Sequence, residues 1–134
     1  MNDEKIREIL SKKQIAVVGC SGTPGKAAHE VPRYLQKHGY HVIPVNPYSD
    51  EILGEKSYDS ISDAATENRI DVVDIFRPSE EVEDIVDEAL EHDIDVIWMQ
   101  LGITDVSSVQ KAQKQDIEVV MDKCIKQEHE RLMD

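Results

Sequence analysis

Cysteine, aromatic residues and positive charge are all scarce in this sequence of 134 residues. Its two cysteines, Cys20 and Cys124, are too few and too far apart for a disulfide framework, and no Cys-x-x-Cys pair suggests a zinc site. We therefore expect both thiols to be free. The five histidines are scattered, without carboxylate partners at the spacing of metal ligands, so no metal site is predicted.

The chain also lacks long apolar runs and basic clusters. No run approaches the roughly 18 apolar residues of a membrane helix, and residues 1–13 lack the apolar centre of a signal peptide. Lys and Arg total 15 against 28 Asp and Glu, and the formal net charge of −13 opposes broad electrostatic contact with nucleic acid or anionic lipid. These absences predict a cytoplasmic protein that contacts neither nucleic acid nor a membrane.

What the sequence does contain is a regular alternation of strand and helix patterns. Short apolar runs, “QIAVVG”, “YHVIPV”, “DVVDIF”, “DVIWM” and “IEVVM”, are separated by amphipathic helical patterns. Continuously apolar strands are buried on both faces of a sheet, and helices between them imply parallel crossovers.

This alternation predicts one α/β domain over residues 1–134, with a helix in residues 1–13 packed on it. The predicted architecture is a Rossmann-like, doubly wound parallel sheet of about five strands in a three-layer sandwich. The expected strand order is 3-2-1-4-5, in which strand 3 is a weak strand near Tyr58.

A glycine-rich loop follows the first predicted strand. The stretch “AVVGCSGTPGKAAHEVP”, residues 16–32, contains Gly19, Gly22 and Gly25 ahead of a helical pattern. In doubly wound sheets ligands bind at the carboxyl ends of the strands where the winding reverses, and glycines beside a helix N-terminus suit phosphate oxygens. Further donors stand at Ser21, Thr23 and Lys26. We predict a phosphate-bearing ligand; the alternative is a loop that only connects strand to helix.

The spacing of these glycines departs from two common nucleotide-binding fingerprints. A dinucleotide site has G-x-G-x-x-G and an acidic residue near the end of the second strand, whereas this chain has G-x-x-G-x-x-G and a second strand that ends in “VNP”. A P-loop requires Ser or Thr after the lysine, where this chain has Ala27. Both departures weaken the case for NAD(P) and for a nucleoside triphosphate, and an NAD(P)-binding module stays as an alternative.

Five motifs in order, “VVGCSGTPGK”, “VIPVNP”, “DVVDIFR”, “IWMQLG” and “VVMDKCIKQEH”, make the chain similar to a known family. It resembles the small stand-alone CoA-binding-domain proteins, relatives of the N-terminal CoA-binding domain of the succinyl-CoA synthetase α subunit. The resemblance covers residues 4–132 and implies a Rossmann-like fold that binds coenzyme A (CoA) or acyl-CoA. The second domain of the synthetase, with its phosphorylated histidine, has no room in this chain, so ligase activity is not implied.

The resemblance also implies which residues contact the ligand. The loop along the CoA phosphates corresponds to Gly19, Ser21, Gly22, Thr23 and Pro24, and its exit into the first helix to Gly25 and Lys26. The nucleotide end is bordered by Val45, Asn46 and Pro47, and the pantetheine arm by Phe76, Arg77, Gln100, Leu101 and Gly102. The synthetase has a lysine two positions after the proline of the second-strand segment, where this chain has Ser49, so that phosphate contact is not carried over.

Two of these residues have alternative roles when judged by chemistry alone. Arg77 directly follows a strand, where its guanidinium suits a phosphate or an ion pair with a neighbouring carboxylate. Phe76 suits a slot for adenine or pantetheine, and equally the hydrophobic core.

Cys124 is a weak candidate for a catalytic residue. Lys123 and Lys126 beside it favour a reactive thiolate, but His129, five residues further on, is poorly placed as its base on a regular helix. A structural cysteine is the preferred interpretation.

The sequence thus leaves three functions open. The first is a non-catalytic CoA or acyl-CoA binding module that acts as a sensor, carrier or regulatory partner. The second is an NAD(P)-binding module that uses the same loop. The third is an enzyme acting on a CoA thioester through Cys124 or Lys126, and a related possibility is a mixed disulfide between CoA and Cys124 or Cys20.

Overall fold

The apolar runs form a five-stranded parallel sheet in the computed structural model, which describes residues 1–133. The strands in chain order are β1 (Gln14–Val18), β2 (His41–Val45), β3 (Glu51–Ile52), β4 (Glu55–Lys56), β5 (Val72–Ile75), β6 (Val96–Met99) and β7 (Glu118–Val120). The parallel sheet has the order β2-β1-β5-β6-β7, and β3 with β4 forms a separate antiparallel pair. The predicted Rossmann-like, doubly wound sheet is therefore confirmed.

Within residues 1–133, six helices cover the two faces of this sheet. They are α1 (Asp3–Leu10), α2 (Ala27–Lys37), α3 (Ile61–Glu67), α4 (Ser79–Ala89), α5 (Val106–Lys114) and α6 (Ile125–Leu132). Apolar side chains of α1, α2 and α6 share one core cluster with the sheet, and those of α3, α4 and α5 share the other. Within residues 1–133, none of these helices combines the length and apolar character needed to cross a bilayer.

Alternation along each strand distributes the side chains between the two cores. In β6, for example, Val96 and Trp98 pack with α1, α2 and α6, whereas Ile97 and Met99 pack on the opposite face. All four are fully buried, as expected for a strand covered by helices on both sides. Trp98 is therefore a core residue.

The segment near Tyr58 differs from the weak strand that the sequence suggests. Tyr58 lies beside β2 as expected, but it forms a single parallel bridge with Val45 and no strand. Ser60 explains why, because its hydroxyl oxygen accepts a hydrogen bond from the Asp63 N–H and begins α3, so the chain leaves the sheet two residues after Tyr58. The fifth strand is instead β7, at the other edge of the sheet.

Candidate functional site

A cavity of about 560 Å³ opens at the carboxyl ends of β1, β2 and β5. Its wall comprises Val18, Gly19, Cys20, Ser21, Lys26, Ala28, Val45, Asn46, Pro47, Tyr48, Asp59, Ser60, Ile61, Phe76, Arg77, Glu81, Ile85 and Glu88. The helix after β1 covers one face of the sheet and the helix after β5 covers the other, so the winding reverses between these two neighbouring strands. Ligands of doubly wound proteins bind at this position.

Gly19 allows three strand ends to meet beneath the cavity. Its N–H donates to the Val45 carbonyl oxygen at 3.0 Å, and its φ of +88° lies in the region that favours glycine. A Cβ at this position would lie 2.8 Å from Arg77 Cδ and 3.0 Å from the Phe76 carbonyl oxygen. The first glycine of the loop is therefore required by close packing.

The rest of the glycine loop is folded back on the start of α2. The Ser21 N–H donates to the Ala28 carbonyl oxygen at 2.9 Å, and the Ser21 hydroxyl accepts from the Thr23 N–H at 3.0 Å. The Gly25 N–H donates to the Glu30 carboxylate at 3.1 Å, and this bond is the main cause of a lowered pKa at Glu30. Several N–H groups of the loop are thus already hydrogen-bonded within the protein.

The N-terminus of α2 keeps donors available for an anion. Lys26 occupies the cap position with an extended backbone, and its own side chain makes no capping hydrogen bond. The first N–H groups of a helix have no partner within the helix and carry partial positive charge. Lys26 is exposed and lines the cavity, so its ammonium group and this helix end form a region suited to phosphate.

Asn46 connects the segment after β2 to the glycine loop. Its Nδ2 donates to the Cys20 carbonyl oxygen at 3.0 Å, and its Oδ1 accepts from the Tyr48 N–H at 2.8 Å. Both ends of the Asn46 amide therefore have partners within the protein. Tyr48 itself is 93% exposed at the cavity edge.

Arg77 forms an ion pair with a neighbouring carboxylate, which was one of its two expected roles. Its Nε and Nη2 lie 3.1 Å and 2.8 Å from the two carboxylate oxygens of Glu81, one helical turn away in α4. These hydrogen bonds raise the pKa of Arg77 and lower that of Glu81. Arg77 also lines the cavity, where Glu81 partly neutralises it.

Two further acidic residues in the cavity wall were missed by the sequence analysis. Glu88 accepts a hydrogen bond from the Ser62 N–H at 3.1 Å, whereas the Asp59 carboxylate has no hydrogen bond or ion pair with residues 1–133. Asp59 is exposed, and the main chain positions it because Tyr58 pairs with Val45. The sequence predicts Tyr58 beside the second strand, but it does not indicate Asp59 as a site residue.

Some of the residues that the family resemblance predicts to contact the ligand line the cavity, and others lie outside it. Those that line it are Gly19, Ser21, Lys26, Val45, Asn46, Pro47, Phe76 and Arg77. Those outside its wall are Gly22, Thr23, Pro24 and Gly25, in the exposed part of the loop, and Gln100, Leu101 and Gly102 after β6.

The segment after β6 is held by α6 and the end of β7. The Gln100 side chain is buried, and its Oε1 accepts from the Ile125 N–H at 3.1 Å. The Gly102 N–H donates to Asp122 Oδ1 at 2.6 Å. These bonds direct the polar groups of the segment toward α6 and the end of β7. The cavity lies on the other side, at the carboxyl ends of β1, β2 and β5.

In the part of the chain that the structure describes, neither cysteine thiol forms a hydrogen bond with a side chain that could act as its base. Cys20 is fully buried, and burial raises the pKa of its thiol to about 12, with a smaller contribution from Asp74. Cys124 is half-buried and precedes α6. His129 Nδ1 lies 2.7 Å from the Tyr34 hydroxyl, so this nitrogen already has a phenol as its partner. Residues 1–133 contain no group of three or more His, Cys, Asp or Glu arranged to hold a metal ion.

The sequence and the fold together place the chain in a family. The model of the CoA binding domain family matches residues 13–130, so the chain belongs to this family. The resemblance to small stand-alone CoA-binding-domain proteins is thereby confirmed, and a role related to CoA is supported.

Individual relatives show both the stand-alone form and a larger one. The uncharacterized protein YneT of Bacillus subtilis (strain 168) is 40% identical over 126 residues, which are 93% of this chain and 92% of YneT. A hypothetical protein from Pyrococcus horikoshii OT3 has a solved structure with a TM-score of 0.95 and 38% identity, covering 100% of this chain and 94% of that one. An ADP-forming acetate–CoA ligase of Methanocaldococcus jannaschii is 33% identical over 86 residues, 64% of this chain but 12% of the ligase.

Proposed function

We propose that this chain binds CoA or an acyl-CoA in the cytoplasm and acts as a sensor, carrier or regulatory module without catalysing a reaction. The observation that supports this best is the cavity at the carboxyl ends of β1, β2 and β5, next to the glycine loop and the start of α2. Its volume of about 560 Å³ is in the range typical of small-molecule sites. Membership in the CoA-binding domain family supports the same ligand.

In this proposal the pyrophosphate of CoA binds at the start of α2. Lys26 and the first N–H groups of the helix supply positive charge and hydrogen-bond donors there. The apolar part of the cavity wall includes Val45, at the end of β2, and Phe76, directly after β5. These two residues lie on either side of Gly19. Phe76 also packs against the core cluster of α1, α2 and α6, so its two expected roles are compatible.

The absence of catalysis is proposed from the thiol chemistry. The raised pKa of the buried Cys20 thiol opposes a thiolate, and Cys124 lies outside the cavity wall. The chain matches 12% of the length of the Methanocaldococcus ligase, so ligase activity is not carried over to it.

Ligand identity is tested by titration calorimetry and thermal unfolding with CoA, acetyl-CoA, NAD and NADP in parallel. We expect CoA or acetyl-CoA to stabilise the protein selectively, by about 2.7 kcal/mol at a ligand concentration 100 times Kd. Selective stabilisation by NAD or NADP would refute CoA as the ligand and favour the alternative module. Native mass spectrometry of the purified protein tests whether a CoA-sized ligand is retained.

The position of the pyrophosphate is tested by Lys26→Glu. Reversing this charge opposes phosphate at the start of α2, and we expect the Kd for CoA to rise at least about tenfold. Lys114→Glu in α5 is the matched control, because Lys114 is also exposed and lies outside the cavity wall. Equal affinities of the two variants would contradict this position.

A further inference from the structure

The side chain of Arg77 lies across the carboxyl end of β1. A Cβ placed on Gly19 would be 2.8 Å from Arg77 Cδ and 3.2 Å from Arg77 Cγ, so the stem of the arginine packs directly over this glycine. The Gly19 N–H in turn donates to the Val45 carbonyl oxygen at the end of β2. The absence of a side chain at Gly19 therefore gives the guanidinium group of Arg77 room in the cavity wall.

Glu81 uses only part of the hydrogen-bonding capacity of this guanidinium group. Arg77 Nε and Nη2 each donate to one carboxylate oxygen of Glu81, at 3.1 Å and 2.8 Å. A guanidinium group also carries donors on Nη1, and this nitrogen forms no hydrogen bond or ion pair with residues 1–133. Because Glu81 fixes the plane of the group, the donors that remain keep a defined direction. The half-exposed side chain leaves them accessible to a ligand.

The guanidinium group of Arg77 is also within electrostatic range of the segment that follows β2. The pKa of Arg77 is raised mainly by Glu81 and to a smaller extent by Tyr48. The Tyr48 N–H donates to Asn46 Oδ1 at 2.8 Å, which fixes this residue at the cavity edge. The wall residues of the segment, Asn46, Pro47 and Tyr48, carry no positive charge of their own. Arg77 is therefore the cation that a ligand group beside this segment can reach.

Positive charge stands at two separate positions in the described part of the cavity wall. Lys26 lies at the start of α2, which packs on one face of the sheet, and Arg77 is held by α4, which packs on the other. CoA likewise carries its phosphates in two separate groups, the pyrophosphate and the phosphate on its ribose. With the pyrophosphate next to Lys26, the ribose phosphate needs a second cation, because the Asp59 carboxylate in the same wall repels it.

We propose that Arg77 binds the phosphate on the ribose of CoA through the donors that Glu81 leaves free, and that Glu81 positions the guanidinium group for this contact. Arg77 thereby selects CoA and acyl-CoA over the same compounds without the ribose phosphate. An arginine that accommodates a phosphate on an adenosine ribose is known chemistry in doubly wound folds. This inference rests on the proposed function, since it takes CoA as the ligand and places its pyrophosphate next to Lys26.

The experiment compares the Kd values of CoA and 3′-dephospho-CoA by calorimetry, because the two compounds differ only in the ribose phosphate. We expect the wild type to bind CoA about tenfold more tightly, the scale of one charge-assisted contact with a half-exposed side chain. Arg77→Gln removes the charge and the Nη donors but keeps Cβ and Cγ. It should bring the two Kd values to within about twofold by weakening CoA alone.

Arg69→Gln is the matched control for the loss of one positive charge. Arg69 lies just before β5, at the opposite end of the strand that Arg77 follows, and it is outside the cavity wall. Like Arg77 it is exposed and bound to a carboxylate, since its Nε lies 2.8 Å from Asp71 Oδ1. This variant should keep the preference of about tenfold for CoA. Thermal unfolding of both variants should show an intact fold, because both arginines are exposed.

The outcomes separate this inference from the function on which it rests. Equal weakening of CoA and dephospho-CoA in Arg77→Gln would place Arg77 at the pyrophosphate and overturn its role at the ribose. Equal Kd values of the two compounds in the wild type would overturn the selectivity and leave CoA binding standing. Loss of the preference in Arg69→Gln as well would assign it to overall charge and also overturn the inference. Binding of neither compound would refute the proposed function, and the inference with it.

Discussion

Asp74 should make this protein less stable as the pH rises above the acidic range. The residue is fully buried in β5, and its register partners in the flanking strands are Val17 and Trp98. Neither carboxylate oxygen has a hydrogen-bond partner among residues 1–133. Burial without a partner raises the pKa of Asp74 well above its usual value of 3.8, so the folded protein holds this carboxyl group in its neutral form.

The sign and size of the effect follow from proton linkage. Above pH 3.8 Asp74 loses its proton in the unfolded chain, while the folded protein keeps it until the pH reaches the raised pKa. Across that window the folded state holds one more proton than the unfolded state. Asp74 therefore lowers the free energy of unfolding by about 1.4 kcal/mol for each pH unit of increase.

Asp74→Asn isolates this contribution, because Asn has nearly the same shape and does not titrate. Urea unfolding of both proteins at pH 5, 6 and 7 measures the difference in unfolding free energy between them. We expect this difference to move in favour of the variant by about 1.4 kcal/mol per pH unit while Asp74 stays protonated.

Asp74→Val tests whether the unpaired polar group itself is costly. It replaces the carboxyl group with an apolar, β-branched side chain that suits a buried strand. We expect the same change of slope as in Asp74→Asn and greater stability at pH 7, because no polar atom remains buried without a partner. Parallel pH dependence of the wild type and both variants would refute the reasoning.

Three further predictions concern the glycine loop, the thiols and catalysis. Gly19→Ala should lower the free energy of unfolding by about 1–2 kcal/mol or more, because its φ is +88° and its Cβ would lie 3.0 Å from the Phe76 carbonyl oxygen. Gly22→Ala, whose Cβ enters open space, should stay within about 0.5 kcal/mol of the wild type in the same urea experiment, and equal losses would contradict the packing argument. Intact-mass analysis without reductant should show no CoA adduct on Cys20 or Cys124. The wild type should turn over no acyl-CoA, and turnover that Cys124→Ala abolishes would identify an enzyme.

The layered fold was predictable because its signals are local. Apolar runs such as residues 14–18 and 41–45 are each buried on both faces, and the pattern of a strand does not depend on which strands flank it. The start of α3 also has a local signal, because the Ser60 side chain caps this helix. The sheet edge near Tyr58 was predicted only in part, because Tyr58 lies beside β2 as expected but forms a single bridge with Val45 and no strand.

The site was predictable only where it lies on a local motif. Chemistry alone left Arg77 with two roles, and the structure shows its ion pair with Glu81, at the i, i+4 spacing of one helical turn. Gln100 follows a strand in the same way as Arg77, yet its side chain turns to the start of α6. Position after a strand thus indicates the correct sheet edge, but the contacts of each side chain depend on the helices packed beside it.

An acidic protein that binds an anionic ligand must depend on short-range contacts. The formal net charge of −13 repels CoA at long range, although salt limits this repulsion to about 8 Å at physiological ionic strength. Within the cavity, Lys26 and the start of α2 form a positive region, and Asp59 lies at the end of β2. In the proposed site this positive region fixes the position of the pyrophosphate next to Lys26. Raising the salt concentration should therefore weaken the long-range repulsion more than the contacts that orient the ligand.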